Sequence, residues 1–413
     1  MRKTGVFALA ALSASSVFSA TYYWNRQDTD WHNWSDAANW LVDDGGAKVA
    51  ATQAPGAGDV IKRRDTQIPE KMYVDLGAAE VEIGGINFAE GLWGADDIQL
   101  ANGTLKLTDT TFTTSWFTPT KITLDHASLL LHSPVKLGHA NNSDNSSMNV
   151  TIGEGSLLEF ADQYWWARAE FHVNDGGTMR VLGTANPQNA NANVEVPIQV
   201  CQGGVLDFEK GYNNFASRPW SYHPHVTLNG EWLLGGQVSY SNNIKFRAEL
   251  ASGTLKATND ASFNFHKDGG WGKFVDGADV TLEAVEGKTL DLSNFTYAGA
   301  ATLTLQGAGT IKLPNEGAPT GIVLKDAQKY AVTATGAEMT MVGVSSADST
   351  FTVGAANLSI GTLAMSAGRL VIQEPGLTVD TAIVETPAVF SVVGLGVGDA
   401  VITCMDTAFL ATV

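Results

Sequence analysis

The chain has 413 residues, a formal net charge of −18 and only two cysteines, Cys201 and Cys404. An acidic balance of this size excludes nucleic acid and anionic lipid as partners that are drawn in by charge. Two cysteines some two hundred residues apart, neither in a CxxC pair, exclude zinc ribbons, redox motifs and a disulfide scaffold, so the fold must be held by its core; whether they pair is open at this level.

Residues 1–20 read as an export signal. Arg2 and Lys3 precede the short apolar run "GVFALAALSASSVF", and "VFSA" offers a cleavage site after Ser19 or Ala20. Removing it takes away two positive charges and moves the net charge to about −20. The apolar run is too short for a membrane span, and nothing later approaches one, so no membrane insertion is expected.

Residues 21–62 form the next unit. Four of the eleven tryptophans fall in "TYYWNRQDTDWHNWSDAANW" (21–40). Its markers are Trp24, then Trp34, Asn39 and Trp40 in "WSDAANW", then Pro55 and Asp59 in "PGAGDVI". The order Trp…Trp-Ser-x-x-x-Asn-Trp…Pro-x-x-x-Asp resembles the N-terminal module of bacterial secreted and autotransporter-associated β-helical surface proteins. The resemblance covers about a tenth of the chain. It implies that these six residues are cap residues, with Asn39 and Ser35 bonding backbone groups and Asp59 closing the turn into Val60-Ile61. It also implies secretion, or display on the outer surface of a Gram-negative-type bacterium. Such a cap would cover the raw apolar end of a stack of coils. Asp28 and Asp30 are the residues in this loop of a type to hold calcium, though the spacing assigns no metal.

From residue 63 to 375 a strand–glycine turn–strand phrase recurs. It appears as "IQLANGTLKLTD" (98–109), "VTIGEGSLLEFAD" (150–162), "IQVCQGGVLDFE" (198–209), "AELASGTLKATN" (248–259) and "LTLQGAGTIKLP" (303–314). A sister phrase fills the gaps, as in "ITLDHASLLLH" (122–132) and "VTLNGEWLLGG" (226–236). Period-two alternation marks strands. One unit about every 20–30 residues is the length of a solenoid coil. The expected fold is all-β, a right-handed parallel β-helix (β-solenoid) with an N-terminal aromatic cap; the alternative is a large antiparallel β-sandwich.

Trp116, Trp166, Trp220 and Trp271 recur at near fifty-residue spacing in the longest polar connections. At parallel-strand spacing, two coils advance about 9–10 Å, so these four would line one side of the rod. With Tyr164, Trp165, Arg168 and Tyr222 they form a candidate strip for extracellular or surface glycans. The competing reading folds each indole inward to seal its loop.

Catalytic constellations are thin. Asp162, Glu170, His172 and Asp175 qualify by type alone, Asp96-Asp97 read as turn residues, and His223 and His225 lack a third ligand fixed by spacing. No catalytic residue, metal or cofactor is therefore assigned, and a non-catalytic structural or adhesive role is the expectation. A polysaccharide-binding or polysaccharide-degrading role on the tryptophan face is the alternative. Residues 376–413 end in mid-strand, as a truncated chain would, and oligomeric state is open.

Overall fold

The computed structural model describes residues 19–64, 70–88, 96–108, 116–117, 120–132, 136–138, 148–161, 165–167, 169–182, 194–209, 222–239, 246–265, 269–325, 329–332, 338–347, 349–354, 356–384, 388–392 and 403–409. The residues read as an export signal lie largely outside this set. Among the described residues the only helical turn is the 3₁₀ turn Ala37–Asn39; the rest of the regular structure is strand.

The strands stack in parallel, coil upon coil, as a β-solenoid. Lys71–Ile83, Asp97–Leu107 and Lys121–Leu131 pair in parallel, the first two with a register shift between Asp75 and Ala79, and the stack continues through Met148–Ile152, Ala169–Val173, Val194–Val200, Tyr222–Leu228, Arg247–Ala257 and Trp271–Ala284. Beyond these it runs on to Thr403–Phe409. The antiparallel sandwich is thereby excluded. Among the described residues antiparallel pairing occurs only in the N-terminal sheet, where Thr21–Trp24 pairs with Trp40–Asp44 and that strand with Ala47–Ala50.

Alternation in the sequence becomes in-and-out alternation in the coil, because successive side chains on a strand point to opposite faces. Val74, Leu100, Leu124, Ile152, Val173, Val200, Leu228 and Leu250 share one register position and are all buried. After a bend, the second half of each coil repeats the arrangement with Leu105, Leu129, Leu158, Met179, Leu206, Trp232 and Leu255. No coil could cover its own apolar row; the coils before and after do so. Larger rings add to the interior, as where Trp232 meets Phe208 and Phe263 edge-on at 5.7 and 5.5 Å.

The bend between the two halves explains the glycines of the repeated phrase. Gly203 takes a left-handed φ of 76°. Its neighbour Gly204 is needed for a different reason: a Cβ there would run into the carbonyl oxygen of Val173 on the preceding coil. Both requirements fall to glycine, one through backbone conformation and the other through close approach.

The cap is a small five-stranded sheet whose parallel members, Val60–Lys62 and Gly85–Asn87, lead into the solenoid. His32–Asn33 adds a short rung on Val74–Asp75 of the first coil, continued by Trp34 N donating to Asp75 O at 2.9 Å. Trp24, Trp34 and Trp40 are buried and belong to the same continuous core as Ile61, Met72 and Val74.

Candidate functional site

The outer surface of the first half-coils is a long regular face of the rod. Two rows of outward side chains run along its axis. One comprises Lys71, Asp97, Lys121, Asn149, Glu170, Pro197, His225, Arg247 and Trp271; the other comprises Tyr73, Gln99, Thr123, Thr151, His172, Gln199, Thr227, Glu249 and Lys273. Nine rungs at about 4.8 Å cover about 38 Å. The side chains along it are hydroxyls, amides, imidazoles and charges, with aromatics at the two ends: Tyr73 beside Trp31 (ring centroids 6.0 Å apart) and Trp271.

Neighbouring rungs bond to each other across this face. The Tyr73 hydroxyl donates to Asp97 at 2.7 Å, and that carboxylate pushes the phenol's pKa up to about 12. Gln199 Nε2 donates to Glu170 at 3.2 Å, and His172 Nε2 lies 3.1 Å from Glu170. Lys273 Nζ is 2.8 Å from Glu249.

On the second half-coils, charge is arranged with more regularity. Glu82, Lys106, Leu130, Glu159, Arg180, Asp207, Leu233, Lys256, Glu283 and Gln306 occupy one register position. Parallel in-register stacking puts like positions about 4.8 Å apart, so equal charges on adjacent coils would repel. The signs alternate instead. Arg180 stands between two buried carboxylates, Glu159 at 3.3 Å and Asp207 at 2.6 Å, and both hold its guanidinium protonated by raising its pKa. Lys256 pairs with Glu283 at 2.8 Å, and Gln306 donates to Glu283 at 2.7 Å.

A buried polar cluster sits where the cap meets the first coils. The Arg63 guanidinium pairs with Asp96, whose other oxygen accepts Glu70 N–H at 2.7 Å. Glu70 is itself 1 % exposed, and among the described residues its carboxylate receives long contacts, from Arg64 N at 3.4 Å and Gln27 Nε2 at 3.5 Å. Burial, opposed by the Arg64 N–H and assisted by the Asp96 charge, raises its pKa to about 7. Asp96 is therefore an interior ion-pair partner rather than a turn residue, and Asp97 opens the following strand facing outward.

The cap residues hold specific places. Trp40 Nε1 donates to Trp34 O at 2.9 Å and Trp34 Nε1 to Pro55 O at 3.2 Å. The three indoles meet edge-on, Trp40 lying 5.0 Å from Trp24 and 4.8 Å from Trp34. Asn39 Nδ2 donates to Asn33 O at 2.8 Å, and Asn39 Oδ1 accepts from Arg26 Nε at 2.7 Å. The Asp59 carboxylate accepts Gly56 N–H and Ala20 N–H, each at 2.9 Å. Ser35 differs from its expected role: its hydroxyl bonds the Asn33 side chain, not a backbone group. Asp28 is engaged by His32 at 2.6 Å.

The tryptophan strip divides between two sheets. Trp116–Phe117, Lys136–Gly138 and Trp165–Ala167 form a separate three-stranded sheet in which Trp116 and Trp165 share the register position of Lys136, while Trp166 aligns with Phe117. Tyr222 and Trp271 begin strands of the main sheet. Arg168 and Trp220, with Tyr164 and Asp162, lie outside the described residues, and Trp116, Trp165, Trp166 and Tyr222 are placed by backbone alone. Neither the repeated phrase, which starts at Ala248 just after Arg247, nor the tryptophan spacing marks Arg247, Glu249 and Lys273. Laying "RAEL" over "WGKF" would have exposed the pattern.

Among the described residues no group of three or more His, Cys, Asp or Glu is placed to hold a metal ion, and no helix is long and apolar enough to cross a membrane. Fold and face together define a parallel β-solenoid with a capped N-terminal end. No family model, no curated protein and no solved structure matches the chain.

Proposed function

We propose that the protein is an exported structural and adhesive solenoid, a rod whose outer sheet face meets extracellular or surface glycans. The observation that carries this reading is the long polar face of nine in-register rungs. It repeats hydroxyl, amide and charged groups at a fixed interval on a rigid sheet, which suits a repetitive polymer or a surface better than a small molecule. Its supports are the export-type N-terminus in the sequence and the resemblance of the Trp24–Asp59 pattern to the module of secreted β-helical surface proteins. The net charge of −18 keeps the rod soluble and away from polyanions in general. The test is adhesion: the protein displayed on beads should bind surface-glycan preparations, and the isolated chain should be recovered from the culture medium or the cell surface when expressed with its own N-terminus. Retention in the cytoplasm together with no glycan adhesion would overturn the proposal.

A further inference from the structure

Trp31 is the one cap indole outside the buried core. Trp24, Trp34 and Trp40 are buried, whereas Trp31 is 45 % exposed and is the only aromatic among the exposed large apolar side chains of the described residues. Its direction follows from register. His32 pairs with Val74 and packs against the buried Trp24, with ring centroids 6.1 Å apart. Successive side chains on a strand alternate in direction, so Trp31 points outward, beside Tyr73. It thereby extends the outer row of Tyr73, Gln99, Thr123 and Thr151 by one rung toward the cap. The Trp31 and Tyr73 rings lie 6.0 Å apart between centroids at an interplanar angle of 43°. Tyr73 is held from the next rung, its hydroxyl donating to Asp97 at 2.7 Å, and Gln99 Nε2 donates to the same carboxylate at 3.3 Å.

A single exposed ring on a protein surface means little, but this one is half of a shallow two-ring trough at the head of a row of amides and hydroxyls. Aromatic rings present an apolar face to the C–H face of a pyranose. Amide and hydroxyl side chains both donate and accept, as sugar hydroxyls do. Two rungs advance about 9–10 Å, which matches the two-residue repeat of an extended β-linked pyranose chain. The surrounding charge selects among such chains. Asp97 is bonded by Tyr73 and Gln99, and Asp75 by Gly77 N–H at 2.8 Å and Asn102 Nδ2 at 3.4 Å, all neutral donors that leave the negative charge in place. Asp28 and Asp30 add carboxylates on the Trp31 loop, and Lys71 is the one cation on the Tyr73 strand. An acidic sugar would be repelled here.

We infer that Trp31 and Tyr73 form a stacking subsite for a neutral, β-linked pyranose chain, which runs from the two rings onto Gln99 and Thr123. This rests on the reading of the outer face as the glycan-meeting surface. The test is calorimetric titration of the intact protein with cellohexaose, a neutral chain whose equatorial hydroxyls leave both ring faces flat, and with hexagalacturonate as its acidic counterpart. Cellohexaose should bind at least about tenfold more tightly than the acid, and Trp31→Ala should weaken it by about tenfold, the change equivalent to one stacking contact. Trp31→Phe should restore part of the loss. Thermal melts run alongside report folding. Gln99→Arg, which blocks the path of the chain one rung beyond Tyr73 and leaves Trp31 in place, should also weaken binding about tenfold and decides the matter if Trp31→Ala unfolds. No binding of cellohexaose, equal binding of the two hexamers, or unchanged affinity in a folded Trp31→Ala or Gln99→Arg variant would overturn the subsite. If cellohexaose fails while the bead-displayed protein still adheres to glycan preparations, the subsite falls and the adhesive reading stands; if both fail, both fall.

Discussion

Arg180 and Asp207 lie on adjacent coils at the same register position, with Arg180 Nε 2.6 Å from Asp207 Oδ2. The pair belongs to a row of alternating charges, interrupted by Leu130 and Leu233, and it reports how a parallel stack tolerates charge. The Asp207 and Glu159 side chains are 9 % and 11 % exposed, whereas Arg180 is 38 % exposed, so solvent screens part of the attraction.

Replacing Arg180 by Met leaves two buried carboxylates without their shared cation. The expected loss is about 2 kcal/mol, below the full cost of breaking a buried pair because Arg180 reaches solvent. A double-mutant cycle with Asp207→Asn in denaturant unfolding measures the coupling. Additive losses would show that the two residues do not interact.

Glu70 makes stability depend on pH in a defined direction. Its pKa is raised from 4.5 to about 7 in the folded chain, so the fold binds the proton more tightly than the unfolded chain does. Its contribution is fully present below about pH 4.5 and is lost as pH rises through about 7. The loss is on the order of 3 kcal/mol. Glu70→Gln should therefore be more stable than the parent at pH 8 and comparable at pH 4. Melting curves across that range check this, and parallel curves for the two proteins would refute it.

Gly204→Ala should destabilise the stack by about 1–3 kcal/mol, since the new Cβ meets the Val173 carbonyl oxygen, which belongs to a packed coil and cannot move aside cheaply. The same substitution at Gly277, where a Cβ would meet nothing within 4 Å, carries only the cost of its left-handed φ of 76°. Comparing the two melting temperatures separates close approach from backbone strain.

Much of this fold was legible in the sequence, because a solenoid writes the same two constraints into every coil. Period-two alternation marked the buried rows, and the recurring glycine pairs marked the bends. Trp34, Asn39 and Asp59 stood out by their order and spacing, and their hydrogen-bond partners lie between 3 and 39 residues away. The site was harder to see. Fifty-residue spacing suggested a single row from Trp116 to Trp271, but spacing counts loop residues as well as strand residues. Register instead aligns Trp116 and Trp165 on either side of Lys136 and assigns Trp271 to another sheet. Arg63, Glu70 and Asp96 gave no local signal, because they belong to no repeated or patterned phrase and their ion pair forms between segments 33 residues apart.

Cys201 and Cys404 should not be joined within one chain. Nine parallel rungs separate their coils, about 43 Å at parallel-strand spacing, against about 5.5–6 Å between Cα atoms in a disulfide. Cys201 is a free, partly exposed thiol. Peptide mapping of the oxidised monomer should find no Cys201–Cys404 cross-link.

The most direct test of the adhesive account is glycan-surface adhesion of a variant carrying Gln99→Arg, Thr151→Arg and Gln199→Arg, three outward positions spread along the main face. The account predicts adhesion reduced at least about tenfold with an unchanged melting temperature. Full adhesion by the folded variant would contradict it.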